Sequence, residues 1–129
     1  MIRILVIDDE PSVCAVVEKI LAPSGYDVTT ATGGRAGLEA AAKQFFSAAI
    51  VDICMRDVSG LDVIRALRAQ APGMGLIAMS GLLSESAGTG APDFLGMAAN
   101  LAGIPRLAKP FRAGELLSLV EQCCASIAA

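Results

Sequence analysis

Short apolar runs alternate along this chain with longer stretches in which apolar residues recur every three or four positions. The runs at residues 2–7 and 48–52 are almost continuously apolar, as in strands that are buried on both faces. Residues 26–31 and 76–80 have the same β-rich character, and residues 106–108 form a minimal fifth run. We therefore predict five strands.

The stretches between the runs have the spacing of amphipathic helices. Pro11 suits the first turn of the first helix, which ends near Gly25, and Gly60 begins the third. Residues 81–92 are small and polar without a period, which predicts a mobile loop, and a short helix at 93–102 and a last helix at 112–126 follow. The apolar faces of the four longer helices are predicted to be Val13, Val16, Val17, Ile20 and Leu21; Leu38, Ala41, Ala42 and Phe45; Leu61, Ile64 and Leu67; and Leu116, Leu119, Val120, Cys123 and Ile127.

Strands and helices that alternate in this way predict an α/β fold, with a parallel sheet covered by helices on both faces. No linker or repeat interrupts the pattern, so we expect residues 1–129 to form a single domain. The chain is 54% hydrophobic with a mean hydropathy of +0.61, which excludes a disordered protein. Because many of these residues are Ala and only 4% are aromatic, the core is expected to be aliphatic.

Charge and cysteine usage exclude several classes of function. The net charge is −3 and the basic residues are scattered, which argues against direct binding of nucleic acid. No apolar run is long enough to span a membrane, and the N-terminus does not resemble a signal peptide, so a soluble, cytoplasmic protein is expected. The four cysteines form no C-x-x-C pair and the chain has no His, which rules out a Cys/His zinc site and His-dependent catalysis.

Polar residues stand at the carboxyl ends of the predicted strands, where open parallel sheets bind their ligands. Asp8 and Asp9 follow the first strand, Asp52 ends the third, Ser80 ends the fourth and Lys109 follows the fifth. Three carboxylates, a hydroxyl and an ammonium are thus expected at one edge of the sheet.

Neighbouring first and third strands would bring the three carboxylates together, because paired strands lie about 4.8 Å apart. Their mutual repulsion favours a hard divalent cation with oxygen ligands, which predicts Mg²⁺. One of them, as an Asp nucleophile, can accept a phosphoryl group as an acyl phosphate. Lys109 would supply positive charge to the phosphoryl oxygens, and Ser80 a hydrogen bond.

Each of these residues also has an ordinary structural interpretation. Acidic residues before Pro11 are common at a helix N-terminus, Asp52 and Ser80 could end their strands without further function, and Lys109 could belong to a simple turn. Their coincidence at five predicted strand ends favours the functional interpretation.

Four segments together resemble the response-regulator receiver domain of bacterial two-component signalling, over essentially the whole chain. They are residues 4–11, residues 50–55 leading to 59–61, residues 79–81 and residues 108–111. The resemblance implies a flavodoxin-like (βα)5 fold, with a doubly wound, five-stranded parallel sheet in the order 2-1-3-4-5.

The resemblance also implies roles for the acidic residues. Asp52 would be the phosphoacceptor. Mg²⁺ would be held by Asp9, Asp52 and the backbone carbonyl of Cys54, with Asp8 acting mainly through water. Ser80 would be the switching hydroxyl and Lys109 the residue that contacts the phosphoryl group.

The implied partners are a sensor histidine kinase or a histidine phosphotransfer protein as donor, and a downstream protein target. The resemblance also implies a cis peptide bond before Pro110. Because the chain stops after the last predicted helix, we expect no output domain and no enzyme activity beyond the protein's own phosphorylation and dephosphorylation. The sequence leaves open which kinase donates, which protein is the target, and the oligomeric state.

Three positions depart from the family pattern. Arg56 replaces a common Pro four residues after Asp52, which predicts a more mobile loop with an extra cation near the site. Arg106 stands where the family usually has Tyr or Phe, so coupling through a rotating aromatic ring is in doubt. Ser80 and Lys109 are 29 positions apart, more than is usual, and the excess lies in the 81–92 loop.

Two alternatives follow. A non-phosphorylated pseudo-receiver that docks proteins would be consistent with Arg56 and Arg106. A phosphatase of the haloacid dehalogenase type would need a second Asp two residues after the nucleophile, where this chain has Cys54.

Overall fold

Five parallel strands form one sheet at the centre of the protein. The structure, a computed structural model, describes residues 2–81 and 103–128, with side chains up to Cys124. The strands are β1 (Arg3–Ile7), β2 (Asp27–Ala31), β3 (Ala48–Asp52), β4 (Gly75–Ser80) and β5 (Arg106–Ala108). Their order is β2-β1-β3-β4-β5, as predicted.

Four α-helices cover the sheet in the described part of the chain. They are α1 (Pro11–Leu21), α2 (Gly34–Lys43), α3 (Gly60–Gln70) and α4 (Ala113–Ala128), and a short 3-10 helix (Ala22–Ser24) extends α1. Helices α1 and α4 pack on one face of the sheet and α2 and α3 on the other. The predicted loop at 81–92, apart from Gly81, and the predicted helix at 93–102 lie outside the described residues. No helix in the described ranges is both long and apolar enough to cross a membrane.

Strand β3, and strand β1 from its second residue onward, are buried because each lies between two other strands and successive side chains enter opposite layers of the core. Ile4 and Val6 of β1 pack with α1 and α4, whereas Leu5 and Ile7 pack with α2 and α3. All five residues of β3 are buried. This arrangement fixes the register of β1 and β3, and with it the positions of the polar residues that follow them.

Two of the predicted helix faces need correction. Helix α2 ends at Lys43, and the extended backbone at Gln44 takes Phe45 off the helix face. Phe45 is therefore 66% exposed, while the adjacent Phe46 is buried in the core. In α1 the buried positions are Cys14, Val17 and Leu21, and Val16 is 49% exposed because it lies one position off this stripe.

Gly60 determines how closely α3 approaches the end of β3. A Cβ at this position would overlap the carbonyl oxygen of Asp52 and the Cα of Ile53. Ser59 is the N-cap of α3, and its Oγ accepts a hydrogen bond from the amide of Leu61 at 3.3 Å. The absence of a side chain at Gly60 thus lets the helix start directly against the strand that carries Asp52.

Candidate functional site

Three carboxylates lie together at the carboxyl edge of the sheet. One oxygen each of Asp8, Asp9 and Asp52 lies within 4.8 Å of the other two. Strands β1 and β3 are adjacent, with Ile7 opposite Val51, so the residues that follow these partners meet at the edge. Asp8 and Asp52 are buried, and the side chain of Asp9 is 16% exposed.

Lys109 is the cation that faces the two buried carboxylates. Its Nζ lies 2.8 Å from Asp8 Oδ2 and 3.4 Å from Asp52 Oδ2. Burial of the ammonium lowers the pKa of Lys109, but the hydrogen bond to Asp8 and the negative charges of Asp52 and Asp8 outweigh it, so the pKa is raised. Lys109 is therefore a fixed positive charge at this site.

The backbone around Lys109 places its side chain in the site. Strand β5 pairs with β4, with Ser80 opposite Ala108, and the amide of Lys109 donates to the carbonyl of Ser80 at 2.9 Å. The peptide bond between Lys109 and Pro110 is cis, as the family resemblance implied.

Asp52 is held in a defined orientation. Its Oδ1 accepts a hydrogen bond from the amide of Cys54 at 3.0 Å, and its Oδ2 faces Lys109. Burial raises the pKa of Asp52, and the charge of Asp8 adds to this effect, while the Cys54 amide and Lys109 oppose it. The net direction is upward, so the ionised form of Asp52 is destabilised by its surroundings.

Ser80 and Cys54 lie at the positions predicted for them. Ser80 is the last residue of β4 and is 2% exposed. Cys54 follows β3 by two residues and contributes its amide to Asp52. Below the carboxylates, the thiol of Cys14 lies 3.5 Å from the carbonyl oxygen of Asp8, and burial together with the Asp8 charge raises its pKa to about 11. This thiol is protonated at neutral pH and acts as a donor.

Two adjacent residues of the loop between β3 and α3 make contacts outside the loop, one with the carboxylate cluster and one with the start of α2. Arg56 donates its backbone amide to Asp9 Oδ2 at 3.1 Å, and its Nε lies 3.6 Å from the same oxygen. The carboxylate of Asp57 accepts hydrogen bonds from the amides of Gly34 and Arg35 at the start of α2, at 3.0 and 3.1 Å. These two amides lower the pKa of Asp57.

Sequence reasoning anticipated the cation at Arg56 but missed Asp57. The pair Gly33-Gly34 indicates that the start of α2 needs an acceptor from another part of the chain, because a glycine N-cap offers no side chain to the first amides of a helix. An acceptor must then come from elsewhere, and Asp57 is 23 residues distant from Gly34. Nothing local in the sequence identifies so remote a partner.

The donor set fits a hard divalent cation. Carboxylate oxygens are the ligands that Mg²⁺ prefers, and one oxygen from each of three residues can face a common centre here. Among the described residues, Asp8 and Asp52 share a single ammonium, that of Lys109, so the two carboxylates, when both are ionised, carry one more negative charge than it balances. Asp8, Asp9 and Asp52 could therefore hold a metal ion.

The chain matches a family model described as the response regulator receiver domain over residues 4–121. Among curated proteins it is 32% identical over 124 residues to the uncharacterized transcriptional regulatory protein YkoG of Bacillus subtilis, covering 92% of this chain and 49% of that protein. It is 35% identical over 124 residues to the transcriptional regulatory protein PrrA of Mycobacterium tuberculosis, covering 92% of this chain and 48% of that protein. The chain thus spans about half the length of these two relatives.

Solved structures share the fold over nearly the whole chain. A CheY-like response regulator receiver domain protein from Methanospirillum hungatei superposes with a TM-score of 0.84 at 25% identity, covering 99% of this chain and 97% of that one. The response regulator TrrA from Thermotoga maritima, in complex with Mg²⁺-BeF, has a TM-score of 0.79 at 27% identity, covering 95% and 99%.

Proposed function

This chain belongs to the response regulator receiver domain family of two-component systems, and we propose that Asp52 accepts a phosphoryl group from a phosphohistidine on a partner protein. The donor would be a sensor histidine kinase or a histidine phosphotransfer protein. The phosphorylated domain would then signal through a conformational switch or onward phosphotransfer to another protein.

The observation that carries the proposal is the orientation of Asp52. Its Oδ1 is held by the Cys54 amide, and its Oδ2 lies 3.4 Å from the Lys109 ammonium. In the transfer, an Asp52 oxygen forms a bond to phosphorus while the bond between phosphorus and the donor imidazole nitrogen breaks. The electron pair of that bond stays on the nitrogen, and the donor leaves as a neutral imidazole when its other ring nitrogen carries a proton; an unprotonated ring would take that proton from water.

Lys109 and Ser80 would contact the oxygens of the phosphoryl group on Asp52. The ammonium of Lys109 already faces Asp52, and it would balance charge on a phosphoryl oxygen attached there. Ser80 ends β4, one residue beyond Met79, the register partner of Asp52, and its hydroxyl would contact the same group. A hydrogen bond from its hydroxyl would couple phosphorylation to the segment that follows β4.

The metal-binding residues would be Asp8, Asp9, Asp52 and the backbone carbonyl of Cys54. When bound, Mg²⁺ supplies positive charge that offsets the negative charge of the carboxylates and of the phosphoryl oxygens. The proposal is supported by the three carboxylate oxygens within 4.8 Å of one another.

We further propose that this domain acts through protein partners rather than through its own contact with nucleic acid. The scattered basic residues and the net charge of −3 support this view. The relatives are named transcriptional regulatory proteins, but the chain matches only about half of their length.

Two other functions are not favoured. A docking module that is never phosphorylated would not need Lys109 fixed against Asp52 and Asp8. A haloacid dehalogenase-type phosphatase would need an acidic residue where Cys54 stands.

The test is to incubate the protein with a small phosphodonor and Mg²⁺ and to measure its intact mass. We expect the wild type to gain one phosphoryl group and Asp52→Asn to gain none. Asp62→Asn is the matched control, because Asp62 is an exposed carboxylate on α3 and should leave phosphorylation unchanged. Equal labelling of the wild type and Asp52→Asn, or no labelling of either, would contradict the proposal.

A further inference from the structure

Arg56 makes two contacts to one oxygen of Asp9. Its backbone amide donates to Asp9 Oδ2 at 3.1 Å, and its guanidinium Nε lies 3.6 Å from the same atom. The side chain of Arg56 is 91% exposed, whereas that of Asp9 is 16% exposed. The guanidinium therefore lies at the solvent side of the carboxylate cluster.

Asp9 is paired with a different basic residue from the one that pairs with the other two carboxylates. Lys109 contacts Asp8 and Asp52, which are both buried, and Arg56 contacts Asp9, which is the most accessible of the three. A metal ion that binds the cluster from solvent would meet Asp9 while Arg56 is still paired with it. Two positive charges at one carboxylate repel each other, so the guanidinium must move away or the metal must bind more weakly.

We propose that Arg56 competes with the divalent cation for Asp9 and thereby lowers the affinity of the site for Mg²⁺. This inference rests on the proposed metal site. Arg56 acts through Asp9 and is a positioning residue: it holds the carboxylate when metal is absent and releases it when metal binds.

The two contacts of Arg56 can be separated by substitution. Arg56→Ala removes the guanidinium and keeps the backbone amide, while Arg56→Lys keeps a positive charge at the same position. Because the side chain is almost fully exposed, neither substitution should disturb the fold.

The experiment is isothermal titration of the metal-free protein with MgCl₂. We expect Arg56→Ala to bind Mg²⁺ about two- to five-fold more tightly than the wild type, the range expected for loss of an exposed ion pair. Arg56→Lys should stay close to the wild type. The gain in Arg56→Ala should shrink at high ionic strength, because salt screens exposed charges.

Arg3→Ala is the matched control for the change in net charge. Arg3 is also an exposed arginine paired with an aspartate, Asp27, at 3.7 Å, but it begins β1 at the opposite edge of the sheet from the cluster. We expect its Mg²⁺ affinity to equal that of the wild type.

A second measurement follows the guanidinium directly. The NMR signal of the Arg56 Nε–H should shift on addition of Mg²⁺ and saturate with the same dissociation constant as the titration. A residue with only a structural role in the loop would keep this signal unchanged.

The possible results are distinct. Equal affinity of Arg56→Ala and the wild type, or weaker binding by Arg56→Ala, would overturn the competition and leave the proposed metal site intact. Absence of Mg²⁺ binding by the wild type would overturn both the metal site and the competition.

Discussion

Replacement of the Asp52 carboxylate by an amide should stabilise the metal-free protein at neutral pH. Across 3.4 Å, at an effective dielectric constant near 20, the attraction of Lys109 for ionised Asp52 is about 5 kcal/mol. Repulsion from Asp8, within 4.8 Å, is at least about 3.5 kcal/mol. The remaining attraction, at most about 1.5 kcal/mol, is smaller than the several kcal/mol needed to bury a carboxylate.

The amide in Asp52→Asn has the same shape and can still accept the hydrogen bond from Cys54. Lys109 keeps its ion pair with Asp8 at 2.8 Å. We therefore expect Asp52→Asn to raise the free energy of unfolding by about 2 kcal/mol, or the Tm by roughly 7 °C for a chain of this size.

The assay is urea denaturation in EDTA, followed by far-ultraviolet circular dichroism. The folded-state pKa of Asp52 is raised above its ordinary value of 3.8, so ionised Asp52 costs stability above the folded pKa. As the pH falls through that pKa towards 3.8, the folded wild type takes up a proton and the advantage of Asp52→Asn should fade.

Asp62→Asn provides the control, because this carboxylate is 59% exposed and its removal should change stability by less than about 0.5 kcal/mol. If Asp52→Asn were no more stable than the wild type at pH 7, or if its advantage grew at acidic pH, burial and repulsion would not be destabilising the ionised form of Asp52.

Three further substitutions test the surroundings of the site. Lys109→Ala should lower the free energy of unfolding by about 2 kcal/mol at pH 7, because it leaves Asp8 and Asp52 buried without their cation; this value is reduced for the partial exposure of Lys109. Urea denaturation in EDTA measures the change, and an unchanged midpoint would contradict a stabilising role of the two ion pairs. Gly60→Ala should lower the free energy of unfolding by about 2 kcal/mol or more, since its Cβ would overlap backbone atoms of Asp52. A Tm equal to that of the wild type would show that α3 can move away from β3 without loss of stability. Asp57→Ala should increase amide hydrogen exchange at the first turn of α2 by removing two hydrogen bonds, and unchanged exchange would show that the bonds do not protect it.

Much of this fold could be predicted because the signals are local. The apolar runs at β1 and β3 identify buried strands, and the position of Pro11 predicts the start of α1, which the structure confirms. Phe45 shows the limit of such patterns, because the helical spacing of apolar residues continues to Phe45, two residues beyond the end of α2 at Lys43. The end of a helix depends on the backbone at Gln44, which periodicity does not encode.

The chemistry of the site and its places along the chain can be predicted from residue types alone: acidic residues after β1 and at the end of β3, Ser80 at the end of β4 and Lys109 after β5. These are properties of residue type and of strand ends, and they can be read without the fold. Only the tertiary structure decided how the charges pair, because pairing depends on distances between residues remote in the chain. It assigned Lys109 to Asp8 and Asp52, placed Arg56 on Asp9 across 47 positions, and showed that the loop after β3 is tied at two points.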